Sequence, residues 1–306
     1  MGNRFVSFGE IMLRLKNLGS ERLFQSPMLE ATFGGGEANV AVSLANYGLD
    51  ASFVTVLPDN DVTAACLREL RSFGVDTKNV VFRPGRMGVY YLESGAVQRP
   101  SKVIYDRAYS AISLAGKGDI DWDKCFEGAK WFHITGITPA ISDGARALAE
   151  ESVGAAKRLG LTVSCDLNYR KNLWKYGKTS GEVMPGIVKY TDVVIANEED
   201  VQKALGISAE SAQGAEEGKL DTALYENLCR QVMSAYPNVK KVAITLRESK
   251  SANHNDWSAC LFNGSEFILS RKYAITHIVD RVGGGDSFMG GLLYGLLTYG
   301  KDQQAI

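Results

Sequence analysis

The stretch DRVGGGDSF, residues 280–288, carries more information about the fold than any other part of this sequence. An apolar run, Met289–Tyr299, follows it and predicts a buried helix that begins close to Asp286. Consecutive glycines leave backbone N–H groups uncovered, and the start of a helix adds a partial positive charge. The stretch therefore predicts an anion site suited to phosphate, although a glycine turn with an aspartate N-cap is the simpler alternative. It matches neither the Walker loop nor the dinucleotide-binding fingerprint.

A second glycine-rich stretch, FGGGEANVA at residues 33–41, also comes directly before a helical pattern. Asn39 would lie in the first turn of that helix, where its side-chain amide could point at a polyhydroxy ligand. Alone, this stretch is weak evidence for a site, because glycine turns before helices are common. Its value lies in its combination with the stretch at 280–288.

Strand and helix patterns alternate along the rest of the chain, which predicts an α/β fold with a mostly parallel sheet covered by helices on both faces. Strands are expected at residues 4–8, 51–57, 131–135, 161–166, 192–196 and 242–246. Helices are expected at 37–47, 62–73, 143–159 and 222–235, and a short helix that ends at 205 follows the strand at 192–196. The dipeptide Asn263-Gly264 lies between two further strand patterns, 257–262 and 267–270, and predicts a β-hairpin.

Two segments, Glu10–Thr32 and Arg86–Tyr109, interrupt this alternation. Both are aromatic and hairpin-like, and we expect them to form one small antiparallel sheet that acts as a lid. Two ordinary long loops are the alternative. Residues 208–221 are small and charged and predict an exposed loop. We expect a single domain over residues 1–306, in which the core consists of residues 1–9, 33–85 and 110–306.

The composition argues against several classes of function. The 306 residues include 34 Lys and Arg against 35 Asp and Glu, and this balance provides no global field for holding nucleic acid. No run approaches the ~20 apolar residues that span a bilayer, and the first residues read as a strand rather than a cleavable signal. Five widely spaced cysteines and three scattered histidines predict neither a disulfide framework nor a zinc site, and they favour the cytoplasm.

Together, the two glycine-rich stretches resemble the two signatures of the ribokinase, or PfkB-type, sugar kinases. The first is similar to a Gly-Gly-x-x-x-Asn pattern with a glycine nine residues beyond the Asn, here Gly48. The second is similar to Asp-x-x-Gly-Ala-Gly-Asp, with Gly284 in the alanine place. The resemblance covers essentially the whole chain. It implies a ribokinase-like fold with a β lid, and a kinase activity that uses ATP and Mg²⁺.

Further strings resemble the 2-keto-3-deoxygluconate kinases within that family: Tyr90, YDR at 105–107, GITP at 136–139 and DLNYR at 166–170. A sugar-acid substrate needs a cation for its carboxylate, and arginine binds carboxylates in a bidentate way. The resemblance implies that Arg107 and Arg170 do so, although either alone could form a surface ion pair. The other substrate-binding residues that it implies are Gly34, Gly35, Asn39, Tyr90, Tyr105, Ile137 and Asp286.

The resemblance also implies the parts of a phosphoryl-transfer site. Asp286 would be the general base that accepts the proton of the attacking hydroxyl, and Gly283, Gly284 and Gly285 would form the anion hole. Asp200 stands in the place of the glutamate in the family's Asn-x-x-Glu motif. Being shorter, it would contact Mg²⁺ through water, although an acidic helix start is the alternative. The implied nucleotide-binding residues are Asn197, Thr245, Arg247, Asp280, Gly283 and Gly285.

Further features depart from the family pattern. Pro58 stands where the first signature usually ends in glycine. Arg281 stands where Pro or Thr usually follows the aspartate, here Asp280. Residues 247–252 replace a glycine-rich turn, so we expect a different loop beside the nucleotide. Family members usually continue through further helices over the adenine. The end of this sequence at Ile306 therefore predicts either a shortened chain or an open nucleotide pocket.

Two other functions stay open at this point. A kinase for a neutral sugar, such as a fructokinase, would keep Asp286 but would not need Arg107 and Arg170. A non-catalytic relative that senses a sugar acid or a nucleotide would not need Asp286. We also expect a homodimer formed lid against lid, because apolar residues are predicted on both faces of the lid sheet. They include Leu13, Leu15, Val89 and Tyr91.

Overall fold

Strands and helices alternate along most of the chain in the computed structural model of the protein, which describes residues 4–208 and 222–306. The strands are β1 (Arg4–Phe8), β2 (Met12–Asn17), β3 (Leu29–Gly34), β4 (Ala51–Val54), β5 (Val56–Leu57), β6 (Val81–Phe82), β7 (Val89–Glu93), β8 (Lys102–Asp106), β9 (Ala129–Thr135), β10 (Thr162–Asp166), β11 (Val193–Ala196), β12 (Lys241–Ser251), β13 (His254–Phe262), β14 (Phe267–Leu269) and β15 (Tyr273–Ile275). The helices are α1 (Gly36–Asn46), α2 (Asp61–Ser72), α3 (Ala111–Leu114), α4 (Trp122–Cys125), α5 (Thr138–Ile141), α6 (Asp143–Arg158), α7 (Ser180–Val188), α8 (Glu198–Leu205), α9 (Thr222–Ala235), α10 (Gly284–Thr298) and α11 (Asp302–Ala305). Of the predicted loop 208–221, all but Ser208 lies outside the described residues.

The large sheet contains nine of the described strands. Their order is β14-β13-β12-β11-β10-β9-β1-β4, and β15 pairs with β13. Every pair from β12 to β4 is parallel, whereas β13 runs antiparallel to β12, β14 and β15. The predicted mostly parallel sheet is therefore confirmed. So is the hairpin at Asn263-Gly264, where Gly264 has a φ of 94°.

Helices on both faces of the large sheet bury two separate apolar clusters. Adjacent residues of a strand point to opposite faces, so Phe5 and Val6 of β1 belong to different clusters. Phe53 packs with Phe5 on one face, and Phe132 packs with Val6 on the other. Burial on both faces also explains why β11 is apolar throughout, because Val193 and Ile195 belong to one cluster and Val194 and Ala196 to the other.

The two segments predicted as a lid form a separate four-stranded sheet, in the order β3-β2-β7-β8. The predicted antiparallel arrangement is wrong for one pair, because β2 and β7 are parallel. Strands β2 and β7 run in the same direction. Each is followed in the chain by an antiparallel partner, which is β3 for β2 and β8 for β7. Strand β3 also continues to Gly34, beyond the predicted boundary at Thr32, and leads directly into α1.

Residues 247–252, predicted as a loop, are mostly strand. Strand β12 continues to Ser251 and pairs with β13 from His254 onward, so the two form a long hairpin. The charged and hydroxyl side chains of this segment lack the apolar alternation that predicts a strand. Helix α7 was also not predicted, and it contains Pro185, which normally interrupts helices. Within the described ranges, no helix has the length and apolar character needed to cross a bilayer.

Candidate active site

A cavity of about 690 Å³ lies between the small sheet and the carboxyl ends of the parallel strands. Ligands bind in this position in open α/β sheets. Asp166 at the end of β10 and Ala196 at the end of β11 reach it, as do the first residues of α1 and α10. All the predicted site residues except Asp280 line it: Gly34, Gly35, Asn39, Tyr90, Tyr105, Arg107, Ile137, Arg170, Asn197, Asp200, Thr245, Arg247, Gly283, Gly284, Gly285 and Asp286.

The two glycine-rich stretches meet at the side chains of Asn39 and Asp286. These residues lie in the first turns of α1 and α10, and Asn39 Nδ2 donates a hydrogen bond to Asp286 Oδ2 over 2.6 Å. Burial raises the pKa of the Asp286 carboxyl, while this hydrogen bond and the positive charge of Arg170 oppose the shift. A carboxylate with a raised pKa is a better proton acceptor, so the position suits a general base.

The start of α10 leaves backbone N–H groups open to the cavity. Gly283 precedes the helix with a φ of 90°, in the left-handed region that favours glycine. A Cβ on Gly285 would meet nothing within 4 Å, and one on Gly284 would come no closer than 3.6 Å to the Trp257 ring. The space in front of these glycines is therefore available to an anion at the positive end of a 15-residue helix.

Two glycines of the first stretch, Gly34 and Gly35, are crowded instead. A Cβ on Gly35 would overlap the carbonyl oxygen of Glu10, and one on Gly34 would lie 2.9 Å from the Tyr90 hydroxyl. Gly34 therefore allows Tyr90, from the small sheet, to approach the backbone where β3 meets α1. Close packing at these two glycines brings the small sheet against the core on one side of the cavity.

Glu37, in the same stretch, is a buried carboxyl that the sequence analysis did not single out. Its Oε1 accepts hydrogen bonds from Thr135 N over 3.1 Å, Thr135 Oγ1 over 2.8 Å and Thr138 Oγ1 over 2.8 Å. Burial raises the pKa of this carboxyl, and the hydrogen bonds oppose the shift. Glu37 thereby ties α1 to the loop that carries Ile137 into the cavity.

The two arginines predicted to bind a carboxylate differ in their surroundings. Arg107 is paired with Glu10, a buried carboxylate to which its Nε donates over 2.7 Å. The side chain of Arg170 is exposed and makes no hydrogen bond or ion pair with any residue of the ranges 4–208 and 222–306. Between these two, Arg170 is therefore the one available to a ligand carboxylate.

Arg247 lies at the wall of the cavity that was predicted to hold the nucleotide. Its guanidinium is 5.9 Å from the centroid of the Trp257 ring. Burial lowers the pKa of this guanidinium, and the positive charges of Arg281 and Arg170 lower it further. Thr245, on the same strand, also lines the cavity, and its Oγ1 donates to the Ala196 carbonyl over 3.4 Å. This wall of the cavity therefore carries concentrated positive charge.

Two buried carboxylates, Asp166 and Asp200, face the cavity near Arg170. Burial raises the pKa of Asp166 well above its usual range, and the neighbouring carboxylates of Asp200 and Asp286 add to the shift. Asp200 accepts hydrogen bonds from Asn197 N over 3.1 Å and Tyr169 N over 2.9 Å, and it forms a capping box at the start of α8. In the described parts of the chain, no group of three His, Cys, Asp or Glu residues could hold a metal ion. The indirect contact of Asp200 with Mg²⁺ stays a prediction.

Asp280 is the predicted residue that does not reach the cavity. It forms an ion pair with Arg14 of β2 and borders a neighbouring pocket of about 290 Å³. Arg281 lines the main cavity instead. The pairs Arg14–Asp280 and Glu10–Arg107 join residues far apart in the chain, so no local spacing could have indicated them. The sequence did contain a signal for Arg281, because an arginine at this position departs from the family pattern.

Comparisons with known proteins agree with this geometry. Residues 3–306 match the model of the pfkB family carbohydrate kinases. The chain belongs to this family. It is therefore an ATP-dependent carbohydrate kinase with a ribokinase-like fold, and the predictions of family, fold class and enzyme class are confirmed.

Two relatives of this kinase are named for related substrates. It is 30% identical to 2-dehydro-3-deoxygalactonokinase of Haloferax volcanii over 298 residues, which are 97% of this chain and 86% of that protein. It resembles the crystal structure of 2-dehydro-3-deoxygluconokinase from Thermotoga maritima with a TM-score of 0.91 and 47% identity, over 100% of this chain and 89% of that one. A probable fructokinase of Arabidopsis thaliana is 25% identical over 94% of this chain and 76% of its own length.

Proposed function

We propose that this kinase transfers the γ-phosphoryl group of ATP to a 2-keto-3-deoxy sugar acid. The first candidate is 2-keto-3-deoxygluconate, which would give 2-keto-3-deoxy-6-phosphogluconate. The observation that carries the proposal is Arg170, which lines the cavity close enough to affect the pKa of Asp286 and whose side chain has no hydrogen-bond or ion-pair partner among the described residues. The carboxylate of a sugar acid would supply that partner in a bidentate pair, whereas a neutral sugar would leave it unpaired. The names of the two relatives from Haloferax volcanii and Thermotoga maritima support the same class.

Asp286 accepts the proton of the attacking hydroxyl, which is the one on the terminal carbon of the sugar acid. The hydrogen bond from Asn39 to Oδ2 orients the carboxylate and leaves Oδ1 for this hydroxyl. The N–H groups of residues 283–285 face the phosphoryl oxygens, on which negative charge is spread during transfer. Catalysis in this site therefore consists of positioning and charge stabilisation, without a covalent intermediate.

Mg²⁺ would accompany ATP, and the carboxylates of Asp166 and Asp200 fit this cation because Mg²⁺ prefers oxygen ligands. Both oxygens of Asp200 accept backbone hydrogen bonds, so a bound water would make its contact with the ion. One oxygen of Asp166 accepts from Asn168 Nδ2 over 2.9 Å, and the other stays available. When bound, the ion would neutralise part of the phosphate charge.

The small sheet acts as the lid of this site, and we keep the proposed division into a lid of residues 10–32 and 86–109 and a core. Tyr90 and Tyr105 line the cavity from the lid, where they would hold the sugar acid. Met12 and Leu92 are buried in one apolar cluster with Tyr90. A closed lid of this kind excludes water, which otherwise competes with the sugar hydroxyl as phosphoryl acceptor.

A panel of acceptors tests the substrate class. ATP consumption would be measured with 2-keto-3-deoxygluconate, its galactonate epimer, fructose, ribose and no sugar. We expect kcat/KM for a sugar acid to exceed that for a neutral sugar by about 10–150-fold, the equivalent of one charge-assisted hydrogen-bonded pair. A higher kcat/KM with fructose than with either acid would replace this proposal with a neutral-sugar kinase.

We further propose that the kinase is a homodimer that associates through the outer face of the lid. Cross-strand neighbours on that face form one apolar row across all four strands, consisting of Ala31, Leu15, Tyr91 and Ile104. Phe24 and Met28, beside this sheet, are 68% and 63% exposed. Leu13, also expected to face the partner, instead packs against a buried cluster of the core. A second copy of the row would cover these apolar side chains.

Sedimentation equilibrium at micromolar concentration tests the dimer. We expect a species of twice the chain mass of 33.3 kDa, and Ile104→Glu should convert it to monomer. Val62→Glu is the matched control, because Val62 is 43% exposed against 44% for Ile104 and lies on α2, outside the lid. A parent protein that sediments as a single 33.3 kDa species would refute the dimer.

A cytoplasmic location also stays a proposal. All five cysteines are free and buried, which is typical of proteins that fold in a reducing compartment. Fractionation of the native host, with detection by an antibody against this chain, would test it.

A further inference from the structure

Arg281 comes directly before the anion-hole loop and contacts the long β12–β13 hairpin. Its Nη2 donates hydrogen bonds to Ser249 Oγ over 2.9 Å and to Asn255 Oδ1 over 2.8 Å. Its Nη1 donates to the Ser251 carbonyl over 3.3 Å. These three acceptors are neutral, so no carboxylate among them cancels the charge of the guanidinium. Arg281 is therefore held by hydrogen bonds to neutral groups rather than by an ion pair.

The hairpin is a firm anchor for this side chain. Ser249 and Asn255 are directly opposite each other in the β12–β13 ladder, and Asn255 is also paired with Ile275 of β15. Asn255 is only 4% exposed. A buried residue held in two ladders does not shift easily, so its side-chain oxygen is a fixed point for Arg281.

The segment between β15 and α10 has few other attachments within the described chain. Its backbone is tied to the hairpin by the hydrogen bond from Ile278 N to the Asn253 carbonyl, over 3.1 Å. Val279 is 97% exposed, and Val282 N donates only to the nearby side chain of Asp280, over 3.0 Å. The ion pair of Asp280 with Arg14 connects the segment to the lid rather than to the core. Within the described residues of this segment, the side chain of Arg281 thus provides the hydrogen bonds to the large sheet.

We propose that Arg281 is a positioning residue for phosphoryl transfer, which holds the N–H groups of residues 283–285 in place through the β12–β13 hairpin. The inference rests on the proposed function. Three glycines in a row have wide backbone freedom, so a donor array built from them needs an external anchor. The extended hairpin, where the family usually has a glycine-rich turn, supplies that anchor. The residue acts through the loop and need not touch the phosphate.

Steady-state kinetics with ATP and the best sugar acid of the panel test the role. Because misplacement of a reacting group by about 1 Å costs on the order of 10²-fold in rate, Arg281→Met should lower kcat by about 10–100-fold. The KM for the sugar acid should stay within about two-fold, since the sugar side of the cavity is untouched. Arg281→Lys keeps the charge but cannot reach three acceptors at once, so its kcat should also fall.

Arg271→Met is the matched control. Arg271 is an exposed arginine that stacks on Tyr273 with 4.6 Å to the ring centroid and lies outside the cavity, so its loss should leave kcat unchanged. An Arg281→Met enzyme with more than half of the parental kcat would overturn the proposal. Full recovery of kcat in Arg281→Lys would also overturn it, because charge alone would then account for the effect.

Hydrogen exchange gives a readout that does not depend on activity. Arg281→Met should speed amide exchange in residues 282–287 at least several-fold, while Arg271→Met should leave it unchanged. Unchanged exchange in Arg281→Met would contradict the positioning role. A parent enzyme that phosphorylates no acceptor of the panel would refute the proposed function alone, and the exchange measurement would still decide whether Arg281 holds the loop.

Discussion

The two glycine-rich turns of this kinase look alike in sequence and differ in what surrounds their glycines. In the first turn, Gly35 has no room for a Cβ because the Glu10 carbonyl occupies that space. In the second turn, Gly283 needs glycine for its φ of 90°, but Gly284 and Gly285 have open space around them. Packing therefore explains Gly35 of the first turn, whereas it does not explain the last two glycines of the second.

The acidic residues that follow the two turns, Glu37 and Asp286, also differ in their surroundings. Glu37 is buried, and one of its oxygens accepts three hydrogen bonds from Thr135 and Thr138. Asp286 accepts one hydrogen bond, from Asn39, and faces the cavity. A glycine with spare room, or a carboxylate with few partners, indicates where a ligand completes the structure. By this criterion the first turn is structural, and the second supports the chemistry proposed for Asp286.

The largest expected effect is that of Asp286→Asn. If this variant stayed active, it would contradict the distinction drawn between the two turns. An amide keeps the shape of the side chain and removes its basicity. We expect kcat to fall by about 10²–10⁴-fold, while the Kd for the sugar acid, measured by calorimetry, changes only a few-fold. Ser287→Ala, at the next and exposed position, is the control. Retention of more than half of the parental kcat would rule out Asp286 as the general base.

The next effect is that of Arg170→Ala, which acts on the second turn through charge. The KM for a sugar acid should rise by about 10–150-fold, while activity on a neutral sugar changes little. Because the charge of Arg170 holds down the pKa of Asp286, its loss should move the acid limb of the kcat/KM profile to higher pH.

Arg170→Lys separates the two consequences. It keeps the positive charge near Asp286 and loses the bidentate fork, so the acid limb should shift less while the KM stays raised. Equal losses of activity on acid and neutral sugars in Arg170→Ala would indicate a folding defect instead of a lost carboxylate contact.

Gly35→Ala tests the crowding of the first turn. Its methyl group would overlap the backbone of Glu10, which cannot move aside as a flexible side chain can. We expect the free energy of unfolding, measured in urea, to fall by about 1–3 kcal/mol.

Gly284→Ala is the matched variant in the second turn and should have the opposite sign. The new methyl group would meet only the Trp257 ring, at 3.6 Å. Loss of glycine's freedom in the unfolded chain should therefore raise the free energy of unfolding by about 0.4–1 kcal/mol. Equal destabilisation by the two substitutions would contradict the distinction between a crowded and an open turn.

The smallest effect depends on pH and concerns Glu37→Gln. Burial raises the pKa of Glu37 in the folded protein above its ordinary value of 4.5. Its contribution to stability is complete below that ordinary value and is lost as the pH rises through the raised pKa. Glutamine does not titrate, so the stability of the variant relative to the parent should increase as the pH is raised. Urea titrations at several pH values would measure this, and a difference that is constant with pH would exclude a titrating Glu37.

The large sheet could be predicted from sequence because its signals are local. Strand β11 is a continuous apolar run, and α10 begins within its run of glycines. The strings around Asn39, Arg170 and Asp286 were local as well, and all three residues line one cavity. Each of these features is contained in a short window of the chain.

The features that could not be predicted depend on residues that only the fold brings together. Arg107 looked equivalent to Arg170 in sequence, and the partner that distinguishes it, Glu10, lies 97 positions away. The parallel pairing of β2 with β7 depends on the path of the chain between them. The hairpin around Ser251 has a polar sequence whose strand structure comes from pairing with β13.

The hydrogen bond between Asn39 and Asp286 spans 247 positions of the chain, and this has a consequence for biosynthesis. During translation, the ribosome completes all the described strands, from β1 to β15, before it makes the residue that Asn39 orients. Closing so long a loop is a step of high contact order, which slows folding. The Asn39–Asp286 pair is therefore assembled only after residue 286 has left the exit tunnel, so a nascent chain that is still shorter than this lacks the carboxylate proposed as the general base.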